Sequence, residues 1–240
     1  MRSIEWLFLR FGTCGRDIFS GDFMKVLCFT DHTLLPDGKI EDLAYRVWKA
    51  PFIEAVGKIA DEHPEGIIIR EKLLSGIDYT DLYIDIKKRV GSGKTRLIWH
   101  DHYEALTLFL KYHPSEEWPD ELFFSRREAG GMSIVDFRRI QLKYGMTVHD
   151  VNELADAKRE KVPFICASNI FETSCKPGVK PRGLDFLRET AKEFGGSVYA
   201  LGGINTSNAA SCIEAGADGV AVRSLCMKED LSDLRELIAM

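Results

Sequence analysis

Short apolar segments alternate with longer amphipathic segments eight times between Met24 and the end of the chain, and this alternation strongly constrains the fold. Continuous β-branched runs such as GIIIR are typical of strands buried on both faces, and apolar residues spaced three or four apart are typical of helices. The predicted strands are 25–30, 66–70, 95–99, 121–124, 144–148, 162–167, 197–201 and 219–222. The predicted helices are 41–62, 78–90, 103–112, 133–142, 151–159, 183–194, 206–215 and 231–238.

Eight successive strand–helix units predict an α/β fold with a parallel sheet. At 240 residues the chain has the length typical of a single (β/α)8 TIM barrel, which is favoured over a doubly wound open sheet. We therefore expect one barrel over residues 24–240, preceded by an N-terminal extension over 1–23 that lies outside it. Met24 stands just before the first strand, so it is also a candidate translation start; the alternative is that the extension is an interaction arm.

The charge and composition exclude several classes of function. The net charge is −5, so no global positive field favours nucleic acid or an anionic membrane, and any phosphate site has to be local. No apolar run has the length needed to span a membrane, and Glu5 interrupts the apolar stretch that would otherwise suggest a signal peptide. The six cysteines form no CxxC pair and show no zinc-ligand spacing, which predicts reduced thiols in a cytoplasmic protein.

The strongest local signal for a ligand lies near the end of the chain. In (β/α)8 barrels the active site lies at the C-terminal ends of the strands, and the loops after strands seven and eight recurrently bind phosphate. The seventh predicted strand runs into Gly202 and Gly203, and a helix with free N–H groups is predicted to begin near Thr206. The eighth ends at Arg223 and Ser224. We predict a phosphate site here; the alternative is that the glycines serve only a tight turn.

Two cations follow the second predicted strand. Arg70 and Lys72 are two residues apart, so in an extended segment their side chains point the same way, while Glu71 points oppositely. Two cations that converge at a barrel mouth suit an anionic substrate. A solvated cluster of rim charges is an equally good interpretation of these residues by themselves.

Histidines follow the third and fifth predicted strands. Asp101 lies between two of them, and we expect it to cap the helix that starts near Tyr103 rather than to bind a metal. His149 comes directly after the fifth strand, where an imidazole can relay protons near neutral pH, although a lone histidine at a strand end is more often structural. Asp150 is a candidate cap for the helix that follows.

Two further segments bear on a ligand site. The loop 169–183 is long for a compact barrel, which is typical of a lid or binding loop, and Thr173 and Lys176 supply a small donor and a cation. Cys175 has no partner at a spacing that would argue for a nucleophile. GSGKT at 91–95 superficially suggests a P-loop, but Lys88 stands where its first glycine is needed and a strand follows, so we predict a helix–strand turn.

Several short motifs follow the predicted strands in a fixed order. They are REK after the second, an Asn-Asp-like pair after the third, S/T-V-H after the fifth, F-x-T-x-x-K after the sixth, ALGGI after the seventh and GVAV-x-S in the eighth. With this order the chain resembles the thiamin phosphate synthase and TenI family of barrels from about Met24 to its end. The loop IFETSCKPGVKPRGLDFL and the stretch ALGGINTSNAASCIEAGADGVAV carry the most specific part of the resemblance.

The resemblance implies one of two reactions. The synthase joins a hydroxymethylpyrimidine diphosphate to a thiazole phosphate alcohol and uses Mg²⁺, whereas TenI-type tautomerases aromatise a thiazole carboxylate phosphate by moving a proton. Where the synthase has Gln, Asn and a second metal aspartate, this chain has Ile68, His100 and, in an ungapped comparison, Glu128. The strand-six loop also departs from the synthase pattern, at Ser168, Asn169, Glu172 and Cys175, and its Glu172 and Cys175 are similar to TenI.

These departures favour a thiazole tautomerase without a cofactor, with His149 as the general acid/base. The remaining predicted substrate- or phosphate-binding residues are Arg70, Lys72, Thr147, Thr173, Lys176, Gly202, Gly203 and Ser224. The first alternative is a synthase that holds Mg²⁺ with Asp101 and Glu128, and the second is a non-catalytic sensor of a thiazole phosphate or of thiamin phosphate. A barrel isomerase for another phosphorylated metabolite is a weaker option. We expect a small phosphorylated thiazole as the ligand and no nucleic acid or membrane partner, and a homodimer is a candidate assembly.

Overall fold

The computed structural model describes residues 23–35, 44–125, 142–173 and 178–240. Its strands are β1 Val26–Phe29, β2 Gly66–Ile69, β3 Arg96–His100, β4 Glu121–Phe124, β5 Lys143–Val148, β6 Phe164–Ser168, β7 Ser197–Leu201 and β8 Gly219–Val222. The α-helices of the described residues are α1 Tyr45–Asp61, α2 Gly76–Val90, α3 Tyr103–Tyr112, α4 Val151–Arg159, α5 Gly183–Glu193, α6 Ala209–Glu214 and α7 Ser232–Ala239. All strands are parallel and close in sequence order, with β8 paired to β1.

The strands bury both faces, as their apolar sequences predict. Successive side chains point alternately into the barrel and out towards the helices. The inner set forms one cluster, which consists of Leu27, Phe29, Ile68, Ile98, Phe123, Phe164, Cys166, Tyr199 and Ala221. The outer set packs against the helices in a second, larger cluster. Because the interior is filled by these side chains, a ligand has to bind at one end of the barrel and not within it.

The helices form where the sequence supplies an apolar stripe and suitable ends. In α1, Trp48, Phe52 and Val56 recur at intervals of four residues, and all three are buried against the sheet. Helix α2 begins after Ser75, whose hydroxyl accepts a hydrogen bond from the N3 amide of the helix, and it ends at Gly91, whose φ of 69° lies in the left-handed region. The helices thus surround the sheet and leave its two ends to the loops.

The predicted single (β/α)8 barrel is confirmed, and each predicted strand overlaps an observed one. The helix predicted from Thr206 begins only at Ala209, because the residues before it form a turn in which Asn205 and Asn208 bond to each other's backbone. The segment 91–95 is a turn between α2 and β3, as predicted. Most of the helix predicted at 133–142, and the extension up to residue 22, lie outside the described residues.

Four of the cysteines have the environment that the sequence predicts. Cys28, Cys166, Cys212 and Cys226 are free and buried, and burial raises the pKa of Cys212 to about 11. The other two cysteines lie outside the described residues. No helix in the described ranges is long and apolar enough to cross a membrane.

Candidate active site

The C-terminal end of the barrel, here called the mouth, collects polar side chains through the two-residue period of the strands. Each position two residues beyond an inner core residue faces the interior again, now at the rim of the barrel. This parity places polar side chains from six strands around one opening; they are Asp31, Arg70, His100, Ser125, Ser168 and Arg223. Thr147 has the same parity in β5 and is half-buried. The interior of the barrel is apolar, so the groups that can bind a polar ligand lie at this rim.

Arg70 and Arg223 share one carboxylate on the β1 side of the mouth. Their Nη1 atoms lie 3.5 and 3.2 Å from the same oxygen, Oδ2 of Asp31. Burial and the neighbouring charge of Arg223 lower the pKa of Arg70, because they disfavour its charged form. Two guanidinium groups therefore face a single negative charge, and the predicted location of Arg70 at the mouth is confirmed.

Lys72 turns to the opposite side of the mouth, towards β3 and β4. Its Nζ atom lies 3.6 Å from Oδ2 of Asp101 and 3.4 Å from the hydroxyl of Ser125. The side chain of Ser125 donates to Asp101 at 2.8 Å, and its backbone amide donates at 2.7 Å. Burial would raise the pKa of Asp101, but the neighbouring imidazole of His100 and the hydrogen bonds from Ser125 hold it below its usual value.

The expectation that Asp101 caps α3 is wrong. The N-cap of α3 is His102, and no side chain caps this helix. Asp101 has a left-handed φ of 51°, and its carboxylate instead fixes the loop after β4 through the bonds to Ser125. An aspartate that follows a strand by one residue can thus serve the neighbouring strand, and sequence spacing alone does not distinguish these roles.

His100 is enclosed within the top of the barrel. Its ring stacks on Phe123 at a centroid distance of 5.9 Å and meets the edge of Phe29 at 6.5 Å. Nδ1 lies 3.0 Å from Oδ2 of Asp101 but at an angle that makes no hydrogen bond by geometric criteria. Burial outweighs the attraction of Asp101 and lowers the pKa of His100, so the imidazole is neutral near pH 7.

Acidification should destabilise the protein through His100. The unfolded chain takes up this proton near pH 6.5, whereas the folded chain takes it up only at lower pH, so stability falls as the pH drops below about 6.5. We expect the free energy of unfolding, measured by urea titration between about pH 7.5 and pH 5.5, to fall more steeply in the wild type than in His100→Asn. Equal slopes in the two proteins would contradict the assignment.

At the rim, Glu71 joins the segments that follow β1 and β2. It is 2% exposed, and its carboxylate accepts hydrogen bonds from Thr30 Oγ1 at 2.8 Å, from His32 Nδ1 at 2.6 Å and from the backbone amide of His32 at 3.2 Å. The ring of His32 stacks on Trp48. Burial raises the pKa of Glu71 despite these bonds. The predicted opposite orientation of Glu71 relative to its neighbours in sequence is confirmed.

The glycine turn after β7 lies beside the end of β8. The register Leu201↔Ala221 sets Gly203 level with Arg223, with Ser224 exposed next to it. Gly202 and Gly203 have φ values of 102° and 68°, in the region that only glycine adopts readily. The loop after β6 lies against this turn, because the amide of Phe171 donates to Gly202 O at 3.0 Å. The predicted helix N-terminus does not contribute, since α6 starts at Ala209 and has only six residues.

Replacing Gly203 by alanine should disturb this turn strongly. A Cβ atom there would collide with the carbonyl oxygen of Glu172 and come within 2.8 Å of Phe171 Cβ. The collision would push the loop after β6 away from the turn, in addition to left-handed strain on the order of 1–3 kcal/mol, so we expect affinity for a phosphate ester to fall about tenfold or more. Titration calorimetry measures this directly. Gly91→Ala is the matched control, because its φ of 69° is nearly identical but its Cβ meets open space.

His149 is paired with a carboxylate at the mouth. Its Nδ1 atom lies 3.0 Å from Oε2 of Glu153, and the same oxygen accepts a hydrogen bond from the backbone amide of His149 at 2.7 Å. Asp150 caps α4 as predicted and accepts hydrogen bonds from the amides of Asn152 and Glu153. The cap orients Glu153, and Glu153 orients the imidazole. With the proton of the neutral ring on Nδ1, Nε2 is the basic nitrogen.

The structure describes only some of the other predicted site residues. Thr173 is half-buried in the loop after β6. Glu128, Cys175 and Lys176 lie outside the described residues. The described mouth therefore contains Arg70, Lys72, Thr147, Asp101, His149, Gly202, Gly203 and Ser224 from the predicted set.

Asp101 is a poor fit for Mg²⁺ as it stands. Mg²⁺ requires oxygen ligands in octahedral geometry, usually one or two carboxylates with water and phosphate. Both oxygens of Asp101 accept from Ser125, and one lies beside the ammonium group of Lys72. His100, which stands in place of an amide oxygen, is buried between aromatic rings. The described side chains therefore do not form a Mg²⁺ site in this arrangement. In the described ranges, no three His, Cys, Asp or Glu residues are grouped so that they could hold a metal ion.

From the sequence alone, Asp31, Ser125 and Glu153 were given no role, and Arg223 was named only as the end of the eighth strand at the predicted phosphate site. Each could have been found from a local signal. Asp31, Ser125 and Arg223 share the strand parity of the inner core residues two positions before them. Glu153 follows the cap residue Asp150 by three positions, which is the spacing of a capping box.

The chain is a (β/α)8 barrel whose strands end in a ring of polar and charged side chains, at the end where barrels of this class place their active sites. A family model described as "Thiamine monophosphate synthase" matches residues 130–225. A thiamine-phosphate synthase from Chloroflexus aurantiacus is 38% identical over 87 residues, which are 36% of this chain and 40% of that protein. A putative thiamine-phosphate synthase 2 from Aquifex aeolicus is 26% identical over 180 residues, 74% of this chain and 90% of that protein. The chain thus spans less than half of the first relative and most of the second.

Solved structures agree on the fold. A thiamine phosphate pyrophosphorylase from Pyrococcus furiosus superimposes with a TM-score of 0.69 at 21% identity, over 90% of this chain and 95% of that one. A 3-hexulose-6-phosphate synthase gives a TM-score of 0.59 at 13% identity, over 90% of this chain and 99% of that one. The family model matches the C-terminal part of the chain, the relatives are named as thiamine-phosphate synthases, and the solved structures share the fold, so the chain is similar to the thiamin phosphate synthase and TenI family.

Proposed function

We propose that this protein belongs to the thiamin phosphate synthase and TenI family and is a thiazole tautomerase, an enzyme that aromatises a thiazole carboxylate phosphate by moving a proton. The observation that carries the proposal is the pair formed by His149 and Glu153, with 3.0 Å between Nδ1 and Oε2, at the rim of the barrel. A histidine whose orientation and tautomer are set by a carboxylate is a usual arrangement for general acid–base catalysis.

The phosphate group of the substrate would lie at the turn formed by Gly202 and Gly203, beside Ser224. The positive φ values of the glycines let the backbone approach an anion closely, and the loops after β7 and β8 are the recurrent phosphate site of this fold. Thr147 of β5 and Thr173 of the loop after β6 are proposed as further contacts of the substrate, and Lys176 as a further cation. Anchoring by the phosphate would hold the thiazole ring over the mouth.

Proton transfer then needs one base that can also act as an acid. Nε2 of His149 would remove the proton from the ring carbon, and the C–H electron pair would shift through the ring towards the exocyclic carbon. The imidazolium would return the same proton to that carbon, so the reaction is an isomerisation without net exchange of atoms. Glu153 would stabilise the imidazolium that exists between the two steps.

The names of the relatives favour a second candidate, thiamin phosphate synthase, which also acts on a thiazole phosphate and uses Mg²⁺. This reaction needs support for a diphosphate leaving group. Arg70 and Lys72 supply cations, but Asp101 is engaged by Ser125 and Lys72. A sensor that binds a thiazole phosphate or thiamin phosphate without turnover is the third candidate.

One assay separates the three candidates. The purified protein is incubated with the non-aromatic thiazole carboxylate phosphate, and in parallel with hydroxymethylpyrimidine diphosphate, thiazole phosphate alcohol and Mg²⁺. Aromatisation that persists in chelator and is lost in His149→Ala supports the tautomerase. Mg²⁺-dependent release of pyrophosphate would replace it with the synthase. Binding of a thiazole phosphate without either reaction would leave the sensor.

A further inference from the structure

The most distinctive charge arrangement outside the pair His149–Glu153 is the contact of two arginines with one aspartate. Arg70 comes from β2, Arg223 from β8 and Asp31 from β1, so the three residues lie on adjacent strands of the closed barrel. Their charges sum to one positive charge in excess. Like-charged guanidinium groups brought together at a partly buried site need a further anion to balance them.

Within the described part of the chain, no second carboxylate forms an ion pair with Arg70 or Arg223. Glu71 is the nearest other carboxylate in sequence, but its oxygens accept hydrogen bonds from Thr30 and His32 and not from the two arginines. Asp101 belongs to Lys72 and Ser125 on the other side of the mouth. As far as the described residues go, the excess charge at Arg70 and Arg223 has no partner but Asp31, and an anionic ligand can balance it.

The geometry of Arg223 also indicates that an anionic ligand can bind here. The Nε atom is buried and has no hydrogen-bond partner among the described residues, although a buried guanidinium nitrogen normally has one. Only Nη1 contacts Asp31, at 3.2 Å. Arg223 has the inward parity of Ala221, so its side chain extends over the interior, while Ser224 and Gly203 lie at the rim beside it.

We propose that Arg223 and Arg70, held by Asp31, form a carboxylate subsite next to the phosphate site. One carboxylate neutralises the excess charge, and the planar guanidinium group binds a carboxylate through paired hydrogen bonds. The ligand class is then a phosphate ester that bears a carboxylate at a short distance. This inference rests on the proposed function and deepens it, since it assigns residues to the carboxylate of the thiazole substrate.

Binding measurements test the subsite without any turnover. Titration calorimetry compares two probes, the aromatic thiazole carboxylate phosphate and the thiazole phosphate alcohol, which lacks the carboxylate. We expect Arg223→Met to weaken the first probe about tenfold or more and to change the second less than about threefold. Arg223→Lys keeps the charge without the planar group and should give an intermediate loss for the first probe only.

Other outcomes overturn the subsite. Equal losses for both probes would assign Arg223 to the phosphate or to the fold, and no loss for either would make its contact with Asp31 purely structural. If the variants do not fold, the wild type still decides, because the subsite requires it to prefer the carboxylate-bearing probe, and equal or weaker binding of that probe sinks the proposal. A preference for that probe without tautomerisation would refute the proposed reaction and leave the subsite standing.

Discussion

Replacing His149 by asparagine should reduce the rate of tautomerisation by on the order of 10²–10⁴, because the reaction then lacks the group that takes and returns the proton. The substitution leaves the glycine turn after β7 and the arginines near Asp31 in place, so affinity for the aromatic product should change little. The loss should therefore appear in kcat and not in KM. Steady-state kinetics with the purified variant measure both.

His63 provides the matched control for this experiment. It lies between α1 and β2, at the end of the barrel opposite the mouth, and it is exposed. Its φ of 58° is one that asparagine tolerates, so His63→Asn makes the same chemical change without backbone strain. We expect its kcat to equal that of the wild type. A His149→Asn variant with unchanged kcat would refute the role of His149 as the acid/base.

Removal of Glu71 should cause the largest loss of stability among single substitutions at the mouth. Glu71→Ala leaves the hydroxyl of Thr30 and the ring and amide of His32 without their acceptor in a site that water does not reach. Breaking a buried pair by deleting one partner costs about 3–5 kcal/mol. Urea denaturation followed by fluorescence would show the loss as a lower midpoint with an unchanged slope.

Two further variants serve as comparisons for the stability of Glu71→Ala. Glu71→Gln keeps one acceptor oxygen in the same shape and should lose clearly less stability than the alanine variant. Asp185→Ala removes a carboxylate that is paired with Arg188 at 2.6 Å but whose side chain is 94% exposed, and such a surface pair contributes about 0–1 kcal/mol. If Glu71→Ala cost no more than Asp185→Ala, the network around Glu71 would not organise the mouth.

The strands were predictable because buried parallel strands consist of consecutive apolar residues. β4, β7 and β8 have the predicted bounds, and the others differ by one or two residues at an end. Helix ends were predictable where a local signal sets them, as Asp150 does for α4. The start of α6 was not, since Asn205 and Asn208 hold the preceding residues in a turn that competes with the helix.

The candidate site was predictable in position and only partly in contacts. Strand ends and glycines indicated the mouth, and Arg70, Lys72, His149 and Gly203 are all found there. Asp101 was misassigned because its partner Ser125 lies 24 residues away on the next strand. Contacts of this kind depend on the lateral register of strands, which local patterns do not contain.

The sequence by itself determined the closed order of strands, the end of the barrel at which ligands bind and the residue types that line it, since apolar periodicity and strand parity are local properties. Only the tertiary structure decided which charges meet. Asp31 and Arg223 are 192 positions apart in the chain, and barrel closure between β1 and β8 brings them to 3.2 Å. Electrostatic interactions depend on distance in space, so the charge balance of this mouth exists only once the barrel has closed.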